Sequence, residues 1–300
     1  MENEILPLWP DTPTNEFNPT LTLYPSPHTT LTSSVSRLRK RGTPKIFPAK
    51  RKGRWRGPRP LALSSPILAR SALSPISYIL IVPGGGYSHK AAHEGEPIAR
   101  MLNRAGISAC VLDYHIAPCA HDAPMRDALR AIRLLRSRGV EKVGILGFSA
   151  GGHVCCCAAV HYDLGDPNAE DPVERFSSRP DVFIPCYPVV TFGPHTHVRS
   201  METLLGDSKD DLSLRDFYSC EKHVTPDTPE AFLWHTAEDQ SVPPANTLLL
   251  AAALSENKVP FELHIYPTGR HGLGLAEGTD PASIWQDACC QFLLRHGFGA

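Results

Sequence analysis

The chain has 300 residues, of which 42% are hydrophobic and 20% are charged, and its formal net charge is −1. This apolar content suffices for a large core and excludes a wholly disordered chain. The near-zero net charge disfavours a protein that coats nucleic acid, and no apolar run approaches the roughly 20 residues that span a bilayer. We therefore expect an enzyme-sized globular protein with neither a nucleic-acid nor a membrane partner.

The cysteines bear on the compartment. The chain has nine of them, an odd number, and Cys155, Cys156 and Cys157 are consecutive. The N-terminal residues lack the basic start and the apolar stretch of a secretory signal. Because disulfides persist mainly in oxidising compartments, this pattern favours free thiols in a reducing one. We expect a cytoplasmic protein.

Charge and proline are concentrated near the N-terminus. Arg37 to Arg70 contains twelve Lys and Arg residues, whereas Phe17 to His93 contains no Asp or Glu. Residues 29–75 also lack sustained helix or strand periodicity and are rich in Ser, Pro and Arg, a composition typical of disorder. We predict a basic, disordered insertion over residues 29–75. The alternative interpretation of its basic clusters is a nuclear-import or nucleic-acid-binding patch.

From residue 76 onward, predicted strands alternate with predicted helices. This alternation indicates a mostly parallel sheet with helices on both faces, and such sheets bind ligands beyond the carboxyl ends of their strands. A segment rich in Asp, Pro and short helical pieces, residues 161–224, is predicted to form a partial cap. In chain order the elements are strand Ser77–Val82, helix His93–Ala105, strand Ser108–Leu112, helix Asp122–Arg138, strand Val143–Leu146, strand Val182–Cys186, strand Phe232–His235, helix Pro243–Ser255, strand Phe261–Tyr266 and helix Ala282–Leu294.

The strongest chemical signal is the segment Gly147–Gly151, which reads Gly-Phe-Ser-Ala-Gly. It lies directly after a predicted strand and directly before a helical segment, which is the context of a nucleophile elbow. Glycines leave room for the sharp turn, and the first amides of the following helix point at the site. We predict that Ser149 is a nucleophile.

A serine hydroxyl needs a base to take its proton, and that base needs an orienting carboxylate. In this fold the acid and the histidine follow the serine in that order, each after a later strand. Asp239 follows the strand Phe232–His235, and His271 follows the strand Phe261–Tyr266. We predict Asp239 as the acid and His271 as the base, with Glu238 as the rival acid.

The glycines that follow the strand Ser77–Val82 suit an oxyanion hole. The segment reads Pro-Gly-Gly-Gly-Tyr over residues 83–87, and glycines let backbone amides come close to a developing negative charge. We predict donors from the amides of Gly85 or Gly86 together with that of Ala150. Tyr87 and Tyr187 are proposed as walls of the acyl site. His195 and His197 lack further ligands at suitable spacing, so we predict no metal.

These motifs together resemble the α/β-hydrolase fold, and more narrowly the acetylxylan-esterase-like and hormone-sensitive-lipase-like serine carboxylesterases. The resemblance extends over roughly residues 76–298, and residues 6–24 are similar to the family's N-terminal strand region. It implies an N-terminal strand region over residues 1–28, a catalytic domain over residues 76–300 and no cofactor. The basic insertion departs from the family, in which this region is usually short. The segments that carry the resemblance are Pro83–Tyr87, His93–Glu96, Leu112–Tyr114, Gly147–His153, Ser178–Asp181, His235–Pro243 and His271–Leu275.

The predicted function is hydrolysis of carboxylic esters, with short acyl or acetyl groups on a sugar or small metabolite, by a Ser-His-Asp triad and an acyl-enzyme. Two alternatives stay open. One is a thioester or lactone hydrolase, or an acyltransferase, in a biosynthetic pathway. The other is a non-catalytic binding protein on the same fold, because fold alone does not fix function.

Overall fold

The structure is a computed structural model, and it describes residues 3–9, 12, 16–27 and 76–299. The described residues belong to one compact unit. The predicted basic insertion over residues 29–75 lies outside the described residues, so its disorder stays a prediction. The predicted division of the chain into residues 1–28, 29–75 and 76–300 also stays a prediction.

An eight-stranded sheet forms the centre of the fold, in the order β1-β2-β4-β3-β5-β6-β7-β8. The six strands from β3 onward run parallel, whereas β2 is antiparallel to both of its neighbours. The predicted mostly parallel sheet is therefore confirmed. The strands are β1 (Ile5–Pro7), β2 (Thr20–Tyr24), β3 (Ser77–Val82), β4 (Ala109–Asp113), β5 (Lys142–Phe148), β6 (Val182–Cys186), β7 (Glu230–Thr236) and β8 (Phe261–Tyr266).

Helices cover both faces of this sheet. On one face the first and last helices share a hydrophobic cluster with Ile79 and Ile81 of β3. Leu80, which alternates with them, points to the other face, where the second and third helices contact each other and β3. The helices are α1 (Glu96–Arg104), α2 (Ala123–Ser137), α3 (Ala150–Val160), α4 (Val198–Leu205), α5 (Leu212–Phe217), α6 (Ala245–Glu256) and α7 (Trp285–Arg295).

Two of the predicted helices open with a 3₁₀ turn before the α-helix begins. The predicted helix His93–Ala105 is a short 3₁₀ turn followed by α1, and the break falls at Gly95 (φ −107°, ψ −104°). Pro97 then lies in the first turn of α1, where its missing amide hydrogen costs no helical bond. The predicted helix Ala282–Leu294 likewise opens with a 3₁₀ turn before α7 begins.

The predicted cap over residues 161–224 is only partly a separate feature. This segment contains β6, which is wholly buried between β5 and β7 in the sheet. The strand Val182–Cys186 is predicted from the sequence with the bounds that β6 has, so this part of the segment belongs to the sheet and not to a cap. Of its helices, α4 contributes residues near its start to the cleft described below.

All nine cysteines are free thiols, and eight of them are buried. Burial raises the pKa of several of these thiols, among them Cys110 and Cys155. Within the described ranges, no helix combines the length and the apolar character that crossing a membrane requires.

Candidate active site

The turn between β5 and α3 has no room for side chains at its glycines. A Cβ on Gly147 would lie 2.1 Å from the carbonyl oxygen of Gly151, and a Cβ on Gly151 would lie 2.2 Å from that of Val82. Between them, Ser149 takes a positive φ of 53° with ψ of −116°, a strained conformation for a residue with a side chain. The predicted elbow is therefore present.

The loops that carry the predicted site residues follow neighbouring parallel strands. Val82 at the end of β3 pairs with Gly147 near the end of β5. Thr236 at the end of β7 pairs with Tyr266 at the end of β8. Because the carboxyl ends of parallel strands lie at one edge of the sheet, their four loops converge on a common site.

Ser149, His271 and Asp239 form a continuous hydrogen-bonded chain. The Ser149 Oγ lies 2.7 Å from Nε2 of His271, and Nδ1 of His271 lies 2.6 Å from Oδ2 of Asp239. An ionised carboxylate only accepts, so Nδ1 carries the proton and Nε2 accepts from the serine hydroxyl. The structure thus brings together the three residues predicted from sequence. Glu238, the rival acid, is exposed and accepts the amide of Gly269 at 3.1 Å instead.

Asp239 is held by more than His271. Burial by itself raises the pKa of this carboxyl, but hydrogen bonds from His235 and His271 outweigh it and hold the pKa well below its ordinary value. The second oxygen, Oδ1, accepts the amides of Ser241 and Val242, both at 2.9 Å. The carboxylate is therefore ionised and fixed in place.

His235 is a supporting residue that the sequence did not single out. Its Nε2 lies 3.0 Å from the carbonyl oxygen of Val242 and 3.2 Å from Oδ2 of Asp239. Because a carbonyl only accepts, Nε2 carries the proton and donates to both oxygens. Its Nδ1 then accepts from the hydroxyl of Thr247 at 2.7 Å. The available signal was a histidine at a strand end, four residues before the predicted acid.

The glycine loop after β3 leaves the backbone amides of Gly85 and Gly86 available to a ligand. The carbonyl oxygens of Gly84 and Gly85 accept from residues 88–91, and among the described residues none accepts a hydrogen bond from the amides of Gly85 or Gly86. Ala150 is the first residue of α3, so its amide has no acceptor one turn earlier. The three amides predicted as oxyanion donors therefore lie in the loop and the helix start that flank Ser149.

A buried carboxylate ties the glycine loop to the histidine loop. Glu94, 2% exposed, accepts the amide of Gly84 at 2.8 Å on Oε2 and the hydroxyl of Tyr187 at 2.7 Å on Oε1. The same hydroxyl accepts the amide of Gly274, three residues beyond His271, at 2.8 Å. We call Glu94, Tyr187 and the amides of Gly84 and Gly274 the Glu94 network. The sequence analysis assigned no individual role to Glu94.

The proposal that Tyr87 and Tyr187 form the walls of the acyl site is wrong for this structure. Each is 1% exposed, and neither lines the cleft at Ser149. Tyr187 belongs to the Glu94 network, whereas the Tyr87 hydroxyl lies 2.6 Å from Nδ1 of buried His153. Both have positive φ, 62° and 35°, which turns their side chains inward from the loops that carry them.

A cleft of about 330 Å³ opens over Ser149. This volume suits a small substrate, since ligand pockets start at about 300 Å³. Its lining comes from the glycine loop, the histidine loop and the start of α4, and is rich in imidazole and guanidinium groups. The lining residues are Gly85, Gly86, Ser88, His89, Ala91, His93, Glu94, Ser149, His197, Arg199, Ser241, Arg270, His271 and Gly272.

One side-chain cluster of metal-ligating type lies behind the cleft. The ligand atoms of buried His153, Cys157 and Cys220 lie within 4.8 Å of one another. Both ring nitrogens of His153 are engaged already, Nδ1 by Tyr87 and Nε2 by the carbonyl oxygen of Tyr218 at 2.8 Å. A metal would have to displace one of these bonds, so the cluster fits a packed core better than a binding site.

Known proteins resemble this chain over much of its length. A protein-family model described as BD-FAE matches residues 67–254. Endo-1,4-beta-xylanase B of Butyrivibrio fibrisolvens is 42% identical over 209 residues, which are 66% of this chain and 32% of that protein. An acetylxylan esterase of Xylanibacter ruminicola is 30% identical over 207 residues, 65% of this chain and 41% of that protein. The chain thus spans less than half the length of these two relatives.

A solved structure matches the whole chain. It is that of an acetyl ester-xyloside bifunctional hydrolase from Caldicellulosiruptor lactoaceticus, with a TM-score of 0.80 and 38% sequence identity. The match covers 100% of this chain and 98% of that chain. The predicted α/β-hydrolase fold is thereby confirmed.

Proposed function

The chain belongs to the BD-FAE family, among the acetylxylan-esterase-like α/β-hydrolases, and from this membership we propose that it hydrolyses carboxylic esters. The proposed substrates carry a short acyl group, such as acetyl, on a sugar or a small metabolite. The observation that carries the proposal is the hydrogen bond of 2.7 Å between the Ser149 Oγ and His271 Nε2, with Asp239 behind the imidazole. Two of the similar proteins, an acetylxylan esterase and an acetyl ester-xyloside bifunctional hydrolase, support an acetyl group as the acyl part.

The first half of the proposed reaction transfers the acyl group to Ser149. His271 Nε2 accepts the hydroxyl proton while the Oγ forms a bond to the ester carbonyl carbon. The carbonyl oxygen becomes an oxyanion, and the amides of Gly85, Gly86 and Ala150 are proposed to stabilise it. The imidazolium then gives its proton to the alcohol oxygen as the bond between that oxygen and the acyl carbon breaks, and the alcohol leaves.

The second half releases the acid. Water gives a proton to His271 Nε2 while its oxygen adds to the acyl carbon, and the oxyanion forms again at the same amides. When this intermediate collapses, the imidazolium returns the proton to the Ser149 Oγ. Asp239 keeps its charge throughout, because its hydrogen bonds hold its pKa well below the ordinary value. It therefore stabilises each imidazolium that forms.

The amides of Gly85, Gly86 and Ala150 are proposed as fixed donors to the developing charge, and each such donor is typically worth about 10²–10³ in rate. Gly84 contributes indirectly: its amide bonds to Glu94, so it is not free to act on the substrate. That bond holds the loop in the conformation that leaves the amides of Gly85 and Gly86 available.

The test is the hydrolysis of a chromogenic ester series, from acetyl to octanoyl, by the wild type and by Ser149→Ala. We expect fast cleavage of acetyl and butyryl esters, and a loss on the order of 10⁶ in kcat for the variant. Gly193→Ala, a substitution in a loop outside the cleft lining, serves as a control for protein quality. Activity of Ser149→Ala within tenfold of wild type would eliminate the proposed nucleophile.

The same preparation separates the alternatives. Faster release of acid from a thioester or lactone than from any ester in the series would favour the thioester or lactone hydrolase. A folded wild type that turns over none of these substrates, and that a fluorophosphonate probe does not label at Ser149, would favour a binding protein.

A further inference from the structure

The cleft over Ser149 carries two arginines, and neither forms an ion pair with an acidic residue that the structure describes. Arg199 and Arg270 both line the cleft. Its lining contains a single carboxylate, Glu94, and both oxygens of that group are occupied by the Glu94 network. Guanidinium groups that have no ion-pair partner attract anions to the cleft.

These two arginines differ from most of the others that the structure describes. Arg130, for example, pairs with both Asp171 and Glu174 at 2.6 Å. Arg199 makes no hydrogen bond or ion pair with any described residue, and Arg270 donates only to backbone carbonyl oxygens. Since a guanidinium has five N–H donors, both side chains retain donors for a ligand.

Both arginines are connected along the chain to residues near His271, the proposed base. Arg270 directly precedes His271, and its Nη1 donates to the carbonyl oxygen of His271 at 2.8 Å, which ties the guanidinium to the histidine loop. Arg199 lies two residues after His197, at the start of α4. Burial and the nearby His271 lower the pKa of His197, so near neutral pH the arginines supply the positive charge.

The proposed reaction fixes which part of the substrate lies there. The departing alcohol takes its proton from His271 Nε2, whereas the acyl group stays on Ser149. A group beside Arg270 and Arg199 therefore belongs to the alcohol. Planar, bidentate guanidinium recognition suits a carboxylate.

We infer that the alcohol part of the substrate carries a carboxylate, as an acidic sugar or hydroxy acid does, and that Arg199 and Arg270 bind it. This inference rests on the proposed ester hydrolysis and names its substrate class. It makes the two arginines specificity-determining residues.

The test uses two acetate esters of nearly equal shape, para-acetoxybenzoate and para-acetoxybenzamide, whose alcohol parts differ in charge. The readout is the ratio of kcat/KM for the carboxylate to that for the carboxamide. Dividing the wild-type ratio by that of the double variant Arg199→Gln, Arg270→Gln removes the intrinsic difference in ester reactivity. We expect the quotient to be about tenfold, because hydrogen bonds to charged groups contribute at least that much.

Two controls define the result. Arg175→Gln removes an exposed arginine that also lacks an acidic partner among the described residues but lies outside the cleft lining, and it should leave the ratio unchanged. Added salt should reduce the carboxylate preference of the wild type and have little effect on that of the double variant. A second pair of substrates tests the acyl side. It consists of the para-nitrophenyl monoester of adipic acid, whose acyl chain ends in a carboxylate, and the corresponding para-nitrophenyl ester whose acyl chain ends in a carboxamide.

The outcomes separate the inference from the proposed function. Equal ratios in the wild type and the double variant, with both acetate esters cleaved, would overturn the inference and leave ester hydrolysis standing. A charge preference confined to the adipate pair would likewise overturn the assignment to the alcohol. Failure of the wild type to cleave any of these esters or the chromogenic series would overturn the proposed function itself.

Discussion

Removing the Tyr187 hydroxyl is the sharpest perturbation of the Glu94 network. Tyr187→Phe deletes the donor to Glu94 Oε1 at 2.7 Å and the acceptor for the Gly274 amide at 2.8 Å, while the ring and its packing remain. The bond to a carboxylate is worth about 1.5–3 kcal/mol, and a buried amide left without an acceptor costs about 1–3 kcal/mol. Allowing for relaxation, we expect the free energy of unfolding to fall by about 3 kcal/mol.

The substitution should also affect catalysis, because the network joins the glycine loop to the loop of His271. A misplacement of about 1 Å in a catalytic group can cost roughly 10²-fold in rate. We expect kcat to fall more than tenfold, with a smaller change in KM, since the cleft lining itself does not include Tyr187.

The assay is urea denaturation followed by fluorescence, together with steady-state kinetics on the best chromogenic ester. Tyr266→Phe is the matched control, because the buried Tyr266 hydroxyl has no hydrogen-bond partner among the described residues. Its loss should be neutral or stabilising. Glu94→Gln completes a double-mutant cycle with Tyr187→Phe. The double variant should lose less free energy of unfolding than the sum of the losses in the two single variants. A loss of stability below about 0.5 kcal/mol for Tyr187→Phe would refute the energetic reasoning.

Two further predictions concern stability and its pH dependence. The pKa of Asp239 in the folded chain lies below its ordinary value of 3.8, so the unfolded chain binds this proton first and the stabilisation is lost as the pH falls through the folded value. Asp239→Asn should therefore lower the free energy of unfolding more at neutral pH than at about pH 3, and equal losses in urea titrations would contradict this. Gly151→Ala would place a Cβ 2.2 Å from the Val82 carbonyl oxygen and should cost about 3 kcal/mol by thermal or urea unfolding, whereas Gly193→Ala should cost much less.

The sequence analysis identified the candidate catalytic residues that lie in recognisable local motifs. The elbow at Ser149 is specified by glycines on both sides and by the strand and helix that flank it, all within a few residues. Asp239 and His271 were found because this fold places them after later strands in a fixed order. The strands Ser77–Val82 and Phe261–Tyr266 have the predicted bounds, because a proline directly follows each of them.

The supporting contacts could not be predicted in the same way. Tyr187 meets Glu94 across 93 positions of sequence, and no periodicity links residues so far apart. Whether a loop tyrosine points into the cleft or into the core depends on its backbone, and φ of 35° at Tyr187 is a tertiary outcome. Arg199 was missed for a related reason, since its place in the cleft depends on how α4 folds back after β6.

Because most of the cysteines are buried, their modification by a thiol reagent would report local unfolding of the chain. The thiolate is the form that attacks a thiol reagent, and burial raises the pKa of thiols such as those of Cys110 and Cys186, so the folded core should react slowly. Cys119, which is half-buried, should be modified before the other eight. Cys155 and Cys156 lie in α3 directly behind Ser149, so their labelling rates, resolved by peptide mass spectrometry, would measure how often the nucleophile's own helix becomes exposed while the rest of the chain stays folded.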